Sequence, residues 1–272
     1  MRNIYQEVTD RIINALEQEM VPWQRPWADG NGMPHNLSTD RYYRGINVPL
    51  VWCSQFDRGF ESDRWLTLRQ ANTLGARVKK GSKGTAIIFW KTRTIRVEGA
   101  DEPEATIPVA RVYSVFNEDQ IDGLPVRDKP VAEWDPHVEA EKLMDRATVV
   151  HGGDRAFYAP NSDIIQLPPV EAFTDQGAYY STALHELTHW TGHSSRLDRL
   201  KKGSTGGTDY AQEELVAEMG AAFLCAQLGI GGKLQHPEYI GHWLKVLKED
   251  NRSVFRASSA AQKAVDYIVG AE

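Results

Sequence analysis

The chain has 272 residues, 41% hydrophobic and 25% charged, a balance that excludes a disordered or fibrous protein and suits one large domain or two ordinary ones. No run approaches the roughly 18 apolar residues that cross a bilayer, and the opening MRNIYQEVTD lacks the apolar core of a secretory signal. A cytosolic protein with no membrane partner is expected. Cys53 and Cys225 lie far apart without CxxC or Cys/His spacing, which excludes a disulfide scaffold and a zinc finger and leaves two ordinary buried thiols. The net charge of −6 conceals a split: residues 1–97 carry 15 Lys+Arg against 9 Asp+Glu, a net +6, and residues 98–272 carry 16 against 28, a net −12. Such asymmetry indicates two units with different partners and points the basic one towards a polyanion.

In chain order, Ile4, Val8, Ile12, Ile13 and Leu16 recur at helical spacing, so residues 4–19 form an amphipathic helix ended by Pro22. Residues 23–47, rich in Pro, Gly, Asn and aromatics, read as an ordered loop, and 48–56 resume a helical pattern. Residues 65–74 read as a helix stopped by Gly75. The basic stretch 77–83 is a Gly-containing turn into a β-branched, aromatic strand at 85–90 that continues through 92–97. Acidic residues with Gly and Pro make 98–108 an exposed loop, after which 109–116 form a strand able to return to the same sheet. The domain boundary is placed near 124–135. Beyond it come a helix at 137–146, short strands over 148–167 around Gly152 and Gly153, and helices at 175–191 and 209–228 joined by a Gly-rich loop. The expected fold is α+β with two domains: a small mixed sheet-and-helix domain over 1–128, then a mostly helical domain with a short sheet over 129–272.

The sharpest motif is the HExxH formed by His185, Glu186 and His189. Two imidazoles four residues apart project from one helical face and can ligate one tetrahedral zinc, with Glu186 beside them as the catalytic general base. A catalytic site needs a third protein ligand. The longer HExxHxxGxxH pattern fails, because Gly192 matches but Ser195 stands where the third histidine belongs. His193 lies about 12 Å further along a continuing helix than His185 and can join only if the helix breaks near Gly192. The next helix carries Glu213, Glu214 and Glu218, of which Glu214 and Glu218 share a face.

This second helix resembles the ExxxD or ExxA(D/N) element of gluzincin-type metallopeptidases. The resemblance implies Glu214 as metal ligand and Glu218 as the partner that orients His185 or His189, with the reverse assignment open. The expected cofactor is Zn²⁺ or another divalent metal, acidifying a water whose proton passes to Glu186 before attack on a carbonyl. Tyr179, Tyr180, Tyr210 and His236 are unranked candidates for an oxyanion donor. Residues 162–167 are a candidate edge strand for a bound peptide.

In the basic half, Trp23, Trp27, Tyr42, Tyr43, Trp52, Trp65 and Trp90 alternate with Arg41, Arg44, Arg77, Lys79, Lys80, Lys83 and Lys91. Rings that stack on bases, with cations that track phosphates, suit single-stranded nucleic acid. Two segments stand out: Tyr42, Tyr43, Arg44 and Asn47 around a glycine, and the four-cation turn of Arg77, Lys79, Lys80 and Lys83. No Walker loop is present, since residues 81–85 lack the GxxxxGK(S/T) order.

Taken together, IYQEVTDRIINALEQEMVPWQRPW at 4–27, YRGIN at 43–47, WLTLRQA at 65–71, VKKGSKGTAIIFW at 78–90 and HELTHWTGHSSRL at 185–197 resemble the ArdC-type antirestriction proteins of conjugative plasmids and the N-terminal region of TraC-type plasmid primases. The resemblance covers nearly the whole chain. It implies a single-stranded-DNA-binding domain followed by a zincin-like metallopeptidase domain, a role in protecting incoming plasmid DNA from host restriction, and a protein substrate within the restriction machinery. Two further readings stay open: a purely DNA-binding protein whose metal is structural or idle, and a zinc-dependent nuclease.

Overall fold

The computed structural model describes residues 3–18, 21–23, 33–96, 104–124, 136–200, 207–231 and 240–270. Helix α1 (Ile4–Glu17) starts where the Asn3 side chain accepts a hydrogen bond from Gln6 N, and it buries Val8, Ile12, Ile13 and Leu16 along one stripe. Helix α2 (Asn47–Arg58) ends on Gly59, whose φ of 63° is the left-handed conformation that closes a helix without a Cβ penalty. Both helices lie where the apolar spacing puts them.

A five-stranded sheet runs in the order β2 (Arg41–Tyr42), β1 (His35–Asn36), β3 (Arg64–Thr67), β6 (Glu104–Asn117), β5 (Thr85–Arg96); β1 and β3 are parallel and the other pairs antiparallel. β4 (Arg77–Val78) and β7 (Ile121–Asp122) form a separate two-stranded ladder. Residues 65–74 differ from the expected helix. Trp65 and Leu66 are both wholly buried in β3, and only at Thr67 does a capping box with Gln70 begin the short helix α3 (Leu68–Thr73). Burial on both faces of the strand overrides the local helical pattern.

The expected loop at 98–108 is also shorter than its composition indicates, because β6 already begins at Glu104. Pro108 is tolerated there for a geometric reason. The Ile88 amide donates to Asn47 Oδ1 at 2.7 Å and its carbonyl accepts from Asn47 Nδ2 at 2.8 Å, so the Ile88–Val112 pair points its backbone groups away from the ladder. Thr92–Pro108 has the same orientation, and the missing N–H of the proline would have faced outward anyway. Only the first part of β5–β6 is flanked by β3, since β3 pairs with residues 115–117 of β6; the remainder is a two-stranded ribbon.

After α4 (Pro136–Met144), strands β8 (Thr148–His151), β9 (Phe157–Ala159) and β10 (Ile164–Leu167) form a sheet in the order β8-β10-β9. β10 is the central strand, with parallel β8 on one side and antiparallel β9 on the other. The 162–167 segment is therefore not an edge able to accept a peptide; β8 and β9 are the edges. Helices α5 (Gln176–Thr191) and α6 (Gly207–Leu228) follow as expected, and α7 (Ile240–Glu249) and α8 (Ser253–Val269) complete the chain.

One hydrophobic core runs through both halves, joining Ile12, Val51 and Trp52 to Leu184, Leu215, Phe223, Trp243 and Val265. The Trp52 and Phe223 rings meet edge-on at 5.9 Å, as do Trp23 and Trp243 at 5.4 Å. Thr9 Oγ1 donates to the Asn251 carbonyl at 2.7 Å, Gly45 N donates to Gln262 Oε1 at 3.2 Å, and Arg44 pairs with Asp266. Cys53 and Cys225 are thiols outside any disulfide and buried in this core, as expected. Of the expected boundary near 124–135, all but Leu124 lies outside the described residues.

Candidate metal centre and nucleic-acid interface

Asp175 caps α5 by accepting from Ala178 N at 2.8 Å, and the helix presents His185, Glu186 and His189 to α6. The two helices approach closely at Gly220, where a Cβ would lie 2.6 Å from Thr188 Cγ2. That contact brings the α6 carboxylates to the imidazoles. Glu214 Oε2 is 3.6 Å from His185 Nε2 and its Oε1 is 3.4 Å from His189 Nε2, and one ligand atom from each of the three residues lies within 4.8 Å of the others. A tetrahedral ion with bonds of ~2.0–2.2 Å separates its ligand atoms by ~3.3–3.6 Å, so two imidazole nitrogens and a carboxylate at these distances fit a divalent cation such as zinc.

The atoms behind the ligands fix which nitrogen faces the centre. His185 Nδ1 lies 3.9 Å from Glu218 Oε1, and His189 Nδ1 lies 3.4 Å from Glu213 Oε1. Arg199 holds Glu213 in turn, with Nη2 donating to Oε1 at 2.9 Å and Nε to Oε2 at 3.2 Å, while its Nη2 also reaches the Thr188 carbonyl at 2.9 Å. With Glu213 hydrogen-bonded at His189 Nδ1 and Glu218 lying behind His185 Nδ1 beyond hydrogen-bond length, the carboxylates stand on the Nδ1 sides and both Nε2 atoms face Glu214 and the cation position. Sequence reading paired Glu218 with either histidine but gave no role to Glu213 or Arg199. Neighbouring helix residues point about 100° apart, so Glu213 and Glu214 serve different sides of His189.

The electrostatics follow from this packing. Burial alone would lower the His189 pKa, but the hydrogen bonds its imidazole donates to Glu213 and Glu214, with the Glu214 and Glu186 charges, outweigh it and hold the imidazole well above its ordinary value. Burial pushes Glu214 upward, yet both histidines together bring it far below the usual carboxylate range. Glu213 is likewise lowered against its burial, by His189 and Arg199. Without a cation, the cluster is a proton-stabilised ion network; with one, the positive charge is supplied by the metal.

Other candidates fall elsewhere. α5 does end at Thr191, but His193 turns its Nδ1 to Ser195 Oγ at 2.7 Å rather than joining the cluster. Tyr180 donates to Glu141 Oε1 at 2.8 Å and Tyr179 bonds His151 Nε2 at 2.9 Å, which commits both hydroxyls to partners on α4 and β8. Tyr210 is exposed one turn before Glu214 on α6, and His236 lies outside the described residues.

The proposed nucleic-acid residues divide. Trp65 is wholly buried and Tyr43 is 5% exposed, so neither ring can receive a base. Burial raises the Tyr43 pKa to about 12, against a smaller lowering by Asn36. Asn47 is spent on the Ile88 backbone. These three are scaffold, a correction that follows from burial. Tyr42 is exposed, whereas Arg44 is held by Asp266. In the basic turn, Arg77, Lys80 and Lys83 are exposed, but Lys79 donates to the Asp119 carbonyl at 2.8 Å and lies 3.7 Å from Asp122. Trp27 lies outside the described residues.

Lys91 is exposed on β5, with company the sequence reading missed. Phe89, Lys91 and Arg93 alternate along one side of the strand, and Tyr113, Arg111, Val109 and Ile107 stand opposite Ile87, Phe89, Lys91 and Arg93 on β6. Phe89 and Tyr113 meet edge-on at 5.6 Å and remain 47% and 39% exposed. Their signal was present as apolar, basic, basic at two-residue spacing.

Comparison with known proteins follows the same division. Residues 2–116 match the model of the N-terminal domain of anti-restriction factor ArdC, and 137–260 match a zincin-like metallopeptidase model. The chain is 41% identical to the antirestriction protein ArdC from plasmid R388, whose metal-free crystal structure superposes with a TM-score of 0.85 over 98% of this chain and 97% of that one. The Mn(II)-bound structure of that protein gives 0.81 over 99% and 98%. The uncharacterized protein y4eC of Sinorhizobium fredii is 35% identical over 98% of this chain and 91% of its own length. DNA primase TraC of Escherichia coli is 39% identical, but the chain spans only 27% of that primase. With matching models in both halves and relatives similar from end to end, the chain belongs to the ArdC antirestriction family.

Proposed function

We propose that the protein is a single-stranded-DNA-binding antirestriction factor whose zincin-like half is a metal-dependent peptidase, protecting incoming plasmid DNA during conjugation. Residues 1–128 hold the DNA and residues 129–272 cleave a protein of the host restriction machinery, in the cytosol; no described helix is long and apolar enough to cross a membrane. The carrying observation is that Glu214 faces both imidazole Nε2 atoms while Glu186 stands next to His185 on the same helix.

When bound by His185, His189 and Glu214, a divalent ion, Zn²⁺ in this reading, supplies Lewis acidity to a carbonyl and acidifies a water. Glu186 takes the proton from the attacking water and returns it to the leaving amine. Glu218 and the Glu213–Arg199 pair hold the two imidazoles in the tautomer this requires. The low exposure of His185 and Glu214 favours a second reading, in which the metal is structural and DNA coating alone protects.

Glu186→Gln separates them. The peptidase reading expects a folded, metal-loaded, DNA-binding variant that no longer cleaves a protein bound to single-stranded DNA and no longer protects against restriction. Full antirestriction by that variant would leave the binding-only reading.

A further inference from the structure

We infer that the outward face of the β5–β6 ribbon is the platform on which single-stranded DNA stacks, an assignment that rests on the DNA-binding reading above and says where on the molecule it operates. Directly paired residues of antiparallel strands share a face, so Phe89, Lys91, Arg93, Arg111 and Tyr113 all project to one side. The opposite side meets the body of the protein only in part: Ile88 is buried there and Trp90 lies 5.8 Å from the Tyr5 ring of α1, yet Trp90 is 44% exposed and Val112 50%, with no Lys or Arg between the Ile88–Val112 and Thr92–Pro108 pairs. Phe89, Lys91, Arg93, Arg111 and Tyr113 are themselves exposed, so the Phe89 side faces solvent and is the one that combines rings with cations.

Its chemistry is specific. Two aromatic rings in contact, each more than a third exposed, would be an uncompensated apolar feature on an ordinary surface ribbon. Arg111 stands directly across from Phe89, and Lys91 and Arg93 continue the line for about 13 Å from Phe89. No acidic residue belongs to this face between the Ile87–Tyr113 and Arg93–Ile107 pairs. Rings beside unopposed cations match a partner that offers aromatic faces and phosphates at once, and a single strand does so. A duplex hides its base faces, and a ribbon in a major groove reads base edges, for which rings are poorly suited.

The basic turn at 77–83 is the weaker surface. It contains no aromatic residue, Arg77 is paired in register with Asp122, and Lys79 is drawn to Asp119 and Asp122.

The test is fluorescence anisotropy of a labelled oligothymidylate on the full chain, titrated at several salt concentrations. Phe89→Leu/Tyr113→Leu keeps apolar bulk but removes both rings, and should weaken binding roughly tenfold or more with the salt slope unchanged. Lys91→Gln/Arg93→Gln/Arg111→Gln should lower the slope by about 2, at ~0.7 per phosphate contact on a single strand. Circular dichroism checks that each variant is folded, and sedimentation follows its oligomeric state. Wild-type affinity in the folded ring variant, with loss on Lys80→Gln/Lys83→Gln instead, would overturn the assignment and leave the DNA-binding reading standing. Unchanged DNA affinity with altered sedimentation would make the face a self-association surface and overturn it equally. A wild-type protein that ignores the oligonucleotide would remove both readings.

Discussion

Gly220→Ala should weaken the metal centre more than it weakens the fold. A Cβ at this position lies 2.6 Å from Thr188 Cγ2 and 2.9 Å from Thr188 Oγ1, against an ordinary carbon contact of ~3.5–4.0 Å, so α5 and α6 must part by about 1 Å. Thr188 has no room to yield, being buried with its hydroxyl on the Leu184 carbonyl at 2.8 Å. Overpacking of this kind costs about 1–3 kcal/mol, and alanine returns about 1 kcal/mol through helix propensity. The net is about 0–2 kcal/mol, a fall of a few degrees in Tm for a chain of this size. Metal sites, however, hold their distances to about 0.2 Å, and Glu214 rides on the displaced helix. Affinity for zinc should therefore drop by roughly 10- to 100-fold, comparable to the loss of a residue that orients a ligand. Competition against a chromophoric chelator, beside thermal melts in EDTA, separates the two effects. Thr188→Ala leaves its Cβ at 3.3 Å as the nearest contact and should restore affinity, with a coupling of about 1–2 kcal/mol in the double-mutant cycle. Wild-type affinity in Gly220→Ala, or no rescue by Thr188→Ala, would refute the argument that this contact sets the ligand distances.

Metal uptake should release a proton. The raised pKa means that His189 in the metal-free protein is protonated and paired with Glu213 and Glu214, a contribution to stability fully present below the ordinary value of 6.5 and lost as pH rises through the raised one. Apparent metal affinity should climb about tenfold per pH unit across neutrality, and calorimetry in buffers of different ionisation enthalpy would show no proton release if the reasoning is wrong. Glu213→Gln should cost roughly tenfold in metal affinity and should also lower the melting temperature of the EDTA-treated protein, since it removes the carboxylate that pairs with Arg199 and the protonated His189; wild-type metal affinity in that folded variant would make Glu213 merely structural. Trp65→Ala should destabilise by about 3–5 kcal/mol, whereas Trp65→Phe should bind single strands like wild type, because the ring is buried against Phe60. Reduced DNA affinity in a stable Trp65→Phe protein would return that residue to the interface.

The helices were legible where periodicity and caps agree, as in α1 and α5. They were misread where tertiary burial decides, as at Trp65 and Leu66, which look helical until β6 pairs with them. The acidic run before Pro108 concealed the start of a strand, because a ladder position that points its backbone outward makes no demand for an N–H. In the metal centre, the i, i+4 spacing identified the histidine pair and the facing glutamates. Which carboxylate lies behind which imidazole depends on the rotation of α6 against α5, and the close approach at Gly220 sets it without a signature in local pattern. Composition found the basic, aromatic half but could not say which rings are inside. Tyr43 and Trp65 went to the core, and Phe89 and Tyr113 took their place outside.

The unbroken core from α1 and α2 into α6, α7 and α8 bears on how the two halves would act together under the proposed function. Two modules on a flexible tether sample a volume, and linker length tunes their effective concentration near a target. Here Trp52 against Phe223 and Trp23 against Trp243 bolt the sheet half to the helical half. A strand held by the first, as proposed, would therefore be carried at a fixed offset from the His185–Glu186–His189 face. Under the function proposed above, the molecule would work as a ruler: proteins seated on the DNA at that offset would be presented to the centre, and those nearer or further along the strand passed over.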